Sequence, residues 1–246
     1  MQNHITAQTI ANDKSLFHIH TFRCGHAEKI SDEAYVTRAL ELGATDLWFS
    51  DHAPFPGDPF RGRMRYSQLQ EYIDTLCTLK QKYANRLNIH IGLEIEYFPS
   101  YDAIDYYHKL MANQRIEFLL LGQHMAELST SCYSFSMDRK WRDENEYKVL
   151  GNAIIRGIKS GYFDFVAHPD RIFRRCKGWN ADMEQVAVNI IRAAVKYQTP
   201  LEQNESSKRQ KHAYWQEFWD LALDTHDIRV VHGLDAHSVT ELKFVN

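Results

Sequence analysis

The stretch Leu16-Phe17-His18-Ile19-His20-Thr21 joins a short apolar run to two histidines at its end. Similar runs, rich in β-branched and aromatic residues, recur along the chain and alternate with longer stretches of helical periodicity. That alternation is typical of repeated βα units that build a parallel sheet. The predicted strands cover residues 16–20, 46–50, 88–97, 118–121, 163–167, 199–204 and 229–234.

The stretches between these strands are predicted to be helices, and several begin with a capping residue such as Ser31, Ser67 or Asp143. Seven strands with intervening helices favour a closed or distorted (β/α)7 barrel over a doubly wound open sheet. The reason is that histidines and carboxylates end nearly every strand, and in a barrel these ends open on one face. The predicted helices cover roughly residues 31–42, 67–85, 100–113, 143–159, 180–197 and 208–226.

The length of 246 residues suits a single domain, and no repeat or low-complexity linker divides the chain. We therefore expect one domain over residues 1–246, with residues 1–14 as an N-terminal extension. Residues 123–142 form the longest candidate insertion. Residues 53–66, rich in proline and glycine, predict a loop on the active-site side.

Composition narrows the class of protein. The formal net charge of -3 provides no broad cationic surface for nucleic acid. The four cysteines Cys24, Cys77, Cys132 and Cys176 form no Cys-x-x-Cys pair, which argues against a zinc ribbon or a thioredoxin-like site. Neither a secretory signal nor a membrane-spanning run is evident. We expect a cytoplasmic protein with a small-molecule partner.

Residues that bind metal ions gather at the predicted strand ends. Period-two alternation places His18 and His20 on the same side of the first strand, where they can share one ion. A lone His-x-His is weak evidence, but imidazoles and carboxylates recur at successive strand ends, as expected for Zn, Mn or Fe. The other residues of this kind are His26, Asp51, His52, Glu94, Glu96, His124, His168, Asp170, Asp235 and His237.

Several of these residues have a second interpretation. Glu96 lies on the same strand face as Glu94 and competes with it for the metal. Asp51 and Asp170 each adjoin a histidine and are equally suited to orienting that imidazole or capping a turn. Packing is the better interpretation of Cys24.

The motifs from Phe17 to His237 resemble the polymerase-and-histidinol-phosphatase (PHP) superfamily. Within it, the Cys-x-His spacing and the segment Glu202-Gln203-Asn204 look most like the stand-alone histidinol-phosphate phosphatases. The matching segments are His18-Ile19-His20, Asp51-His52-Ala53-Pro54, Gly92-Leu93-Glu94, His124, Ala167-His168-Pro169 and Asp235-Ala236-His237.

The resemblance implies a TIM-like distorted (β/α)7 barrel that binds two or three divalent ions, Zn, Mn or Fe, at the C-terminal ends of its strands. It implies a metal-bridging hydroxide as the nucleophile, with Glu94 as the bridging carboxylate and Asp235 as the second catalytic residue. The implied ligands are His18, His20, Glu94 and Asp235 for one ion, Glu94, His124 and His168 for a second, and His26, His52 and His237 for a third.

The implied activity is hydrolysis of a small phosphate monoester, with histidinol phosphate as one candidate. Arg209 falls where the family often has a phosphate-binding arginine, although the preceding segment lacks the usual glycine. Arg171 and Arg174 are suited either to clamping phosphate or to a solvated face. The alternatives are a phosphodiesterase or exonuclease, which the charge disfavours, and a non-catalytic metal-binding module, which the full ligand set disfavours.

Overall fold

The computed structural model describes residues 13–129, 132–134, 145–210 and 212–245. Most of the expected N-terminal extension and the predicted cap Asp143 lie outside these residues. Contacts within the chain define two compact units. The first holds the described parts of Met1–Glu94, Asn113–Leu119 and His232–Asn246, and the second holds those of Ile95–Ala112 and Leu120–Val231.

The first unit is built on parallel strands. Strand β1 (Ser15–Ile19) pairs with β2 (Asp46–His52), and β2 pairs with β3 (Asn88–Ile95). Helix α1 (Asp32–Leu42) connects β1 to β2, and α2 (Leu69–Lys82) connects β2 to β3. On its other side β1 is joined by residues of the last strand region, through a parallel bridge between Ile19 and Ala236.

Strand β1 contains a bulge at His18. His18 has a φ of 69°, and the register of β1 against β2 shifts between Leu16 and Ile19. A residue in the left-handed region breaks the simple alternation of a strand and redirects the side chains on either side of it. The prediction that the imidazoles of His18 and His20 share one environment therefore depends on a bulge rather than on regular alternation.

The second unit follows the same βα pattern. Strand β4 (Phe118–Leu121) pairs in parallel with β7 (Phe165–Val166), which pairs with β8 (Leu201–Asn204). Helix α5 (Glu146–Ser160) packs closely on this sheet at Gly157, where an added Cβ would lie 2.6 Å from the Leu121 side chain. Helix α6 (Ala181–Tyr197) leads into β8, and α7 (Glu205–Arg209) and α8 (Gln216–Leu223) follow it before β9 (Val230–Gly233).

Seven of the described strands form one sheet, in the order β1-β2-β3-β4-β7-β8-β9. The pairings given above are parallel, and helices connect most successive strands. This arrangement confirms the expected distorted, TIM-like (β/α)7 barrel. The single-domain expectation stays a prediction. None of the described helices is long and apolar enough to span a bilayer.

Two predicted helices are divided. Residues 100–113 form two short helices, α3 (Pro99–Asp102) and α4 (Tyr106–Met111), because Asp105 takes a left-handed φ of 62° between them. Residues 208–226 are likewise split between α7 and α8. The predicted insertion contains an antiparallel pair that the sequence did not indicate, β5 (Glu127–Ser129) with β6 (Cys132–Tyr133).

Candidate metal centre

Histidines and carboxylates of the first unit converge at the ends of β1, β2 and β3. His18 Nε2 lies 3.6 Å from Glu94 Oε2, and His52 Nδ1 lies 3.0 Å from the same oxygen. His20 Nε2 lies 3.2 Å from Asp235 Oδ1 and 3.5 Å from Glu94 Oε2. Five residues separated by up to 217 positions therefore face one another. They are the four ligands that the family resemblance implied for one ion, and His52, which it implied for the third.

His237 and His26 extend this group. One potential ligand atom from each of His20, His52 and His237 lies within 4.8 Å of the others. His237 Nε2 is 2.9 Å from His26 Nε2, and the His237 ring stacks on the His20 ring at a centroid distance of 4.2 Å. The predicted third-ion residues are thus brought together. We call the seven residues the first-unit cluster: His18, His20, His26, His52, Glu94, Asp235 and His237.

The first-unit cluster fits a divalent cation. Its central side chains are buried, with exposed fractions of 0% for His18 and His20, 1% for Glu94 and 4% for Asp235. Buried charges persist only when they are paired or bind metal, and imidazole with carboxylate is the donor set of Zn, Mn and Fe sites. His18 and Asp235 also have left-handed φ values of 69° and 51°. Such strain is concentrated at functional sites.

The imidazoles of the first-unit cluster differ in pKa. Burial opposes protonation of His20, but hydrogen bonds with Asp235 and Asp51 prevail and raise its pKa to about 9. Burial, together with the positive charge of His20, lowers the pKa of His237 to about 3. His237 is therefore neutral at physiological pH and can donate a lone pair to a metal ion.

Asp51 and Cys24 lie beside the first-unit cluster. Asp51 Oδ1 lies 3.4 Å from His20 Nδ1, on the side of the ring away from Asp235, which is the position of a carboxylate that orients a ligand. The Cys24 thiol donates to the Thr21 carbonyl at 3.2 Å, and burial raises its pKa to about 12. A neutral, hydrogen-bonded thiol agrees with the packing interpretation of Cys24.

The second unit holds its own pair of predicted ligands, His124 and His168, with ring centroids 5.0 Å apart. Glu96 Oε1 lies 3.3 Å from His124 Nδ1, and Glu202 Oε2 accepts a hydrogen bond from the His168 amide at 3.1 Å. Glu96 is thus an orienting neighbour of His124, whereas Glu94 belongs to the first-unit cluster. The predicted second ion, which joins Glu94 to His124 and His168, stays a prediction.

The predicted phosphate-binding arginines differ in their surroundings. Arg171 donates from Nε to Ser207 Oγ at 3.0 Å and from a terminal nitrogen to Asn204 Oδ1 at 3.0 Å. Burial and the charge of Arg171 lower the pKa of Arg174 to about 10, so two guanidinium groups lie near each other. Arg209 is exposed. A pair of cationic forks is well suited to phosphate oxygens.

Two structural roles near the predicted site residues were not predicted from the sequence. Ser207 anchors Arg171, and the N-cap of α7 was the available signal, because Asn204 Oδ1 accepts the Ser207 amide three residues later. Thr21 and Arg23 form a buried network with Asp51. Arg23 carries no sequence signal of this role, because arginine is usually an exposed residue.

The sequence is similar to that of a known protein family and to that of a named relative. The PHP domain family model matches residues 17–206. A Deinococcus radiodurans protein named as a histidinol-phosphatase is 30% identical over 163 residues, or 62% of this chain and 59% of the relative. The match thus spans less than two thirds of that relative's length.

Solved structures share the fold. That of a Listeria monocytogenes protein named as a histidinol phosphatase has a TM-score of 0.76 at 18% identity, covering 93% of this chain and 97% of that one. That of the Lactococcus lactis histidinol phosphate phosphatase, complexed with Zn, L-histidinol and phosphate, has a TM-score of 0.71 at 18% identity. It covers 92% of this chain and 87% of that one.

Proposed function

This chain belongs to the PHP domain family, and from that premise we propose that it is a metal-dependent phosphatase that hydrolyses a small phosphate monoester. The observation that carries the proposal is the buried convergence of His18, His20, His52, Glu94 and Asp235. The names of the relatives make histidinol phosphate the first substrate to test.

We propose that the protein binds two or three ions in total, because the first-unit cluster holds seven candidate ligands. His18, His20, Glu94 and Asp235 would hold one, and His26, His52 and His237 would hold another. Zinc is the first metal to test, because the Lactococcus lactis structure contains it. When bound, such ions supply hydroxide near neutral pH and offset the charge of the phosphoryl group.

The protein's own residues would bind and orient the substrate. Arg171 is pre-positioned by Ser207 and Asn204, so its planar fork loses little freedom on meeting phosphate oxygens. Arg174 adds a second positive charge nearby. Glu94, 1% exposed and within 3.6 Å of three imidazoles, would hold the ligand set together.

The proposed reaction transfers the phosphoryl group directly to water, without a phosphoenzyme. Imidazoles and carboxylates make up the first-unit cluster, and the neighbouring thiol of Cys24 is buried with a raised pKa, which makes it a poor nucleophile. A single in-line displacement inverts the configuration at phosphorus. Retention of configuration in a chiral phosphate ester would contradict direct attack.

The activity test compares p-nitrophenyl phosphate with its bis ester, using protein reconstituted with zinc. We expect the monoester to be cleaved faster, and faster cleavage of the diester would favour the phosphodiesterase alternative. Glu94→Gln serves as the matched control for contaminating phosphatases. A panel of phosphorylated metabolites that includes histidinol phosphate then identifies the substrate. Fewer than two metal equivalents by mass spectrometry would contradict a multinuclear site.

A further inference from the structure

A chain of hydrogen bonds runs behind His20, on the side away from Asp235 and Glu94. Arg23 donates from a terminal nitrogen to Thr21 Oγ1 at 3.1 Å, and the Thr21 hydroxyl is hydrogen-bonded to Asp51 Oδ2. Asp51 Oδ1 in turn faces His20 Nδ1 at 3.4 Å. All four side chains lie in the first unit and are buried.

The direction of each hydrogen bond follows from counting protons at Thr21. A guanidinium has donors only, so Thr21 Oγ1 must accept from the Arg23 side chain. The same oxygen also accepts from the Arg23 backbone amide at 3.5 Å. Both lone pairs of the hydroxyl are then used. Its proton is left to donate to Asp51.

Asp51 is the next member of the chain. Its Oδ2 accepts from Thr21, and its Oδ1 accepts from the His52 backbone amide at 2.8 Å, which can only donate. Both carboxylate oxygens are therefore acceptors, and His20 Nδ1 must be the donor to Oδ1. His20 then presents Nε2, the nitrogen 3.2 Å from Asp235 Oδ1, as the one that can bind a metal ion.

The Arg23 guanidinium is held in place by two ion pairs, so it stays the donor to Thr21. The group is buried, with a side-chain exposed fraction of 1%, and pairs with Asp32 at 2.8 Å and Glu71 at 2.7 Å. Thr21 also fixes the start of the 3-10 turn Phe22–Cys24 that leads to His26. The network therefore links the backbone of one ligand loop to the ring of His20.

We propose that Thr21, oriented by Arg23, is a positioning residue that fixes the tautomer of His20 through Asp51 and so raises the metal affinity of the first-unit cluster. The inference deepens the proposed function, because it rests on the first-unit cluster binding metal. Outer hydrogen-bond partners of metal ligands typically contribute about 10-fold to 100-fold in affinity.

The experiment measures zinc affinity of the metal-free protein by chelator competition, together with the Nδ1–H resonance of His20 in the zinc-loaded protein. Thr21→Val keeps the side-chain shape but removes the hydroxyl, and Thr21→Ser keeps the hydroxyl. Thr78→Val is the matched control, since the Thr78 hydroxyl donates to the Asp74 carbonyl on an exposed helix face. Asp51→Asn interrupts the same chain at a second point.

We expect Thr21→Val and Asp51→Asn to weaken zinc binding by about tenfold or more and to lose the His20 Nδ1–H signal, with near-normal affinity in Thr21→Ser. Thr78→Val should match the wild type. Unchanged affinity in a folded Thr21→Val protein, or failure of Thr21→Ser to restore it, would overturn this inference alone. A wild-type protein that binds no zinc would overturn the proposed function as well.

Discussion

Zinc affinity should depend steeply on pH, because a metal ion must displace a proton from His20. The pKa of His20 is raised from 6.5 to about 9, since hydrogen bonds with Asp235 and Asp51 outweigh the burial that opposes protonation. Binding through Nε2 requires the neutral ring. One displaced proton weakens the apparent affinity by roughly tenfold for each pH unit below the pKa. Between pH 9 and pH 7 the loss is therefore about 100-fold.

The assay is chelator competition at pH 7, 8, 9 and 10, corrected for protonation of the chelator and for zinc hydroxide. Calorimetry in buffers of different ionisation enthalpy counts the released protons. Asp51→Asn removes one of the groups that raise the pKa of His20, so its affinity should change less over the same range. An affinity that stays constant from pH 7 to pH 9 would refute the reasoning.

The raised pKa of His20 also predicts how the stability of the metal-free protein depends on pH. The folded-state pKa of His20 lies above its unfolded value, so protonated His20 stabilises the fold fully below about pH 6.5. That contribution is lost as the pH rises through about 9. Thermal unfolding of the metal-free protein should therefore occur at a lower temperature at pH 10 than at pH 7, more so in wild type than in Asp51→Asn.

Three further predictions concern single substitutions. Glu94→Gln should lower turnover of the monoester by more than about 100-fold. Glu96→Gln, which alters only the neighbour of a ligand, should lower turnover by about tenfold or less. Equal losses of turnover would argue against separate roles for the two carboxylates. Arg171→Lys should raise KM for the monoester with a smaller change in kcat, because lysine lacks the planar fork, and an unchanged KM would remove Arg171 from phosphate binding. Gly92→Ala should lower the free energy of unfolding in urea by about 1–3 kcal/mol, because the added methyl group overlaps the Phe118 ring. A Gly92→Ala variant as stable as the wild type would show that this ring moves freely.

The convergence of the first-unit cluster could be predicted from the sequence because it depends on strand ends. Apolar runs that finish in histidine or carboxylate locate His18, His52 and His168 without knowledge of their neighbours. The bulge at His18 could not be predicted, since the left-handed conformation of a residue that is not glycine is imposed by the surrounding structure. The break at Asp105 has the same kind of cause.

Glu94 and Glu96 show where pattern alone stops being informative. They are two positions apart on the predicted strand 88–97, so periodicity places them on the same face. The structure gives them different contacts: Glu94 lies within 3.6 Å of His18, His20 and His52. Glu96 lies 3.3 Å from His124. Arg23 is a further case, because its partner Glu71 is 48 residues away and no local signal joins the two.

The left-handed backbone at His18 and Asp235 restricts how the first-unit cluster can change over evolution. Apart from glycine, the residues that adopt this conformation most readily are asparagine, aspartate and histidine, while β-branched residues are rare there. These favoured side chains are also ones that bind metal ions. The backbone conformation and the ligand chemistry therefore favour the same few residue types. A saturation library at His18 should retain folded members mainly among Asn, Asp, Gly and His, and of these only glycine has no side chain that could bind a metal ion.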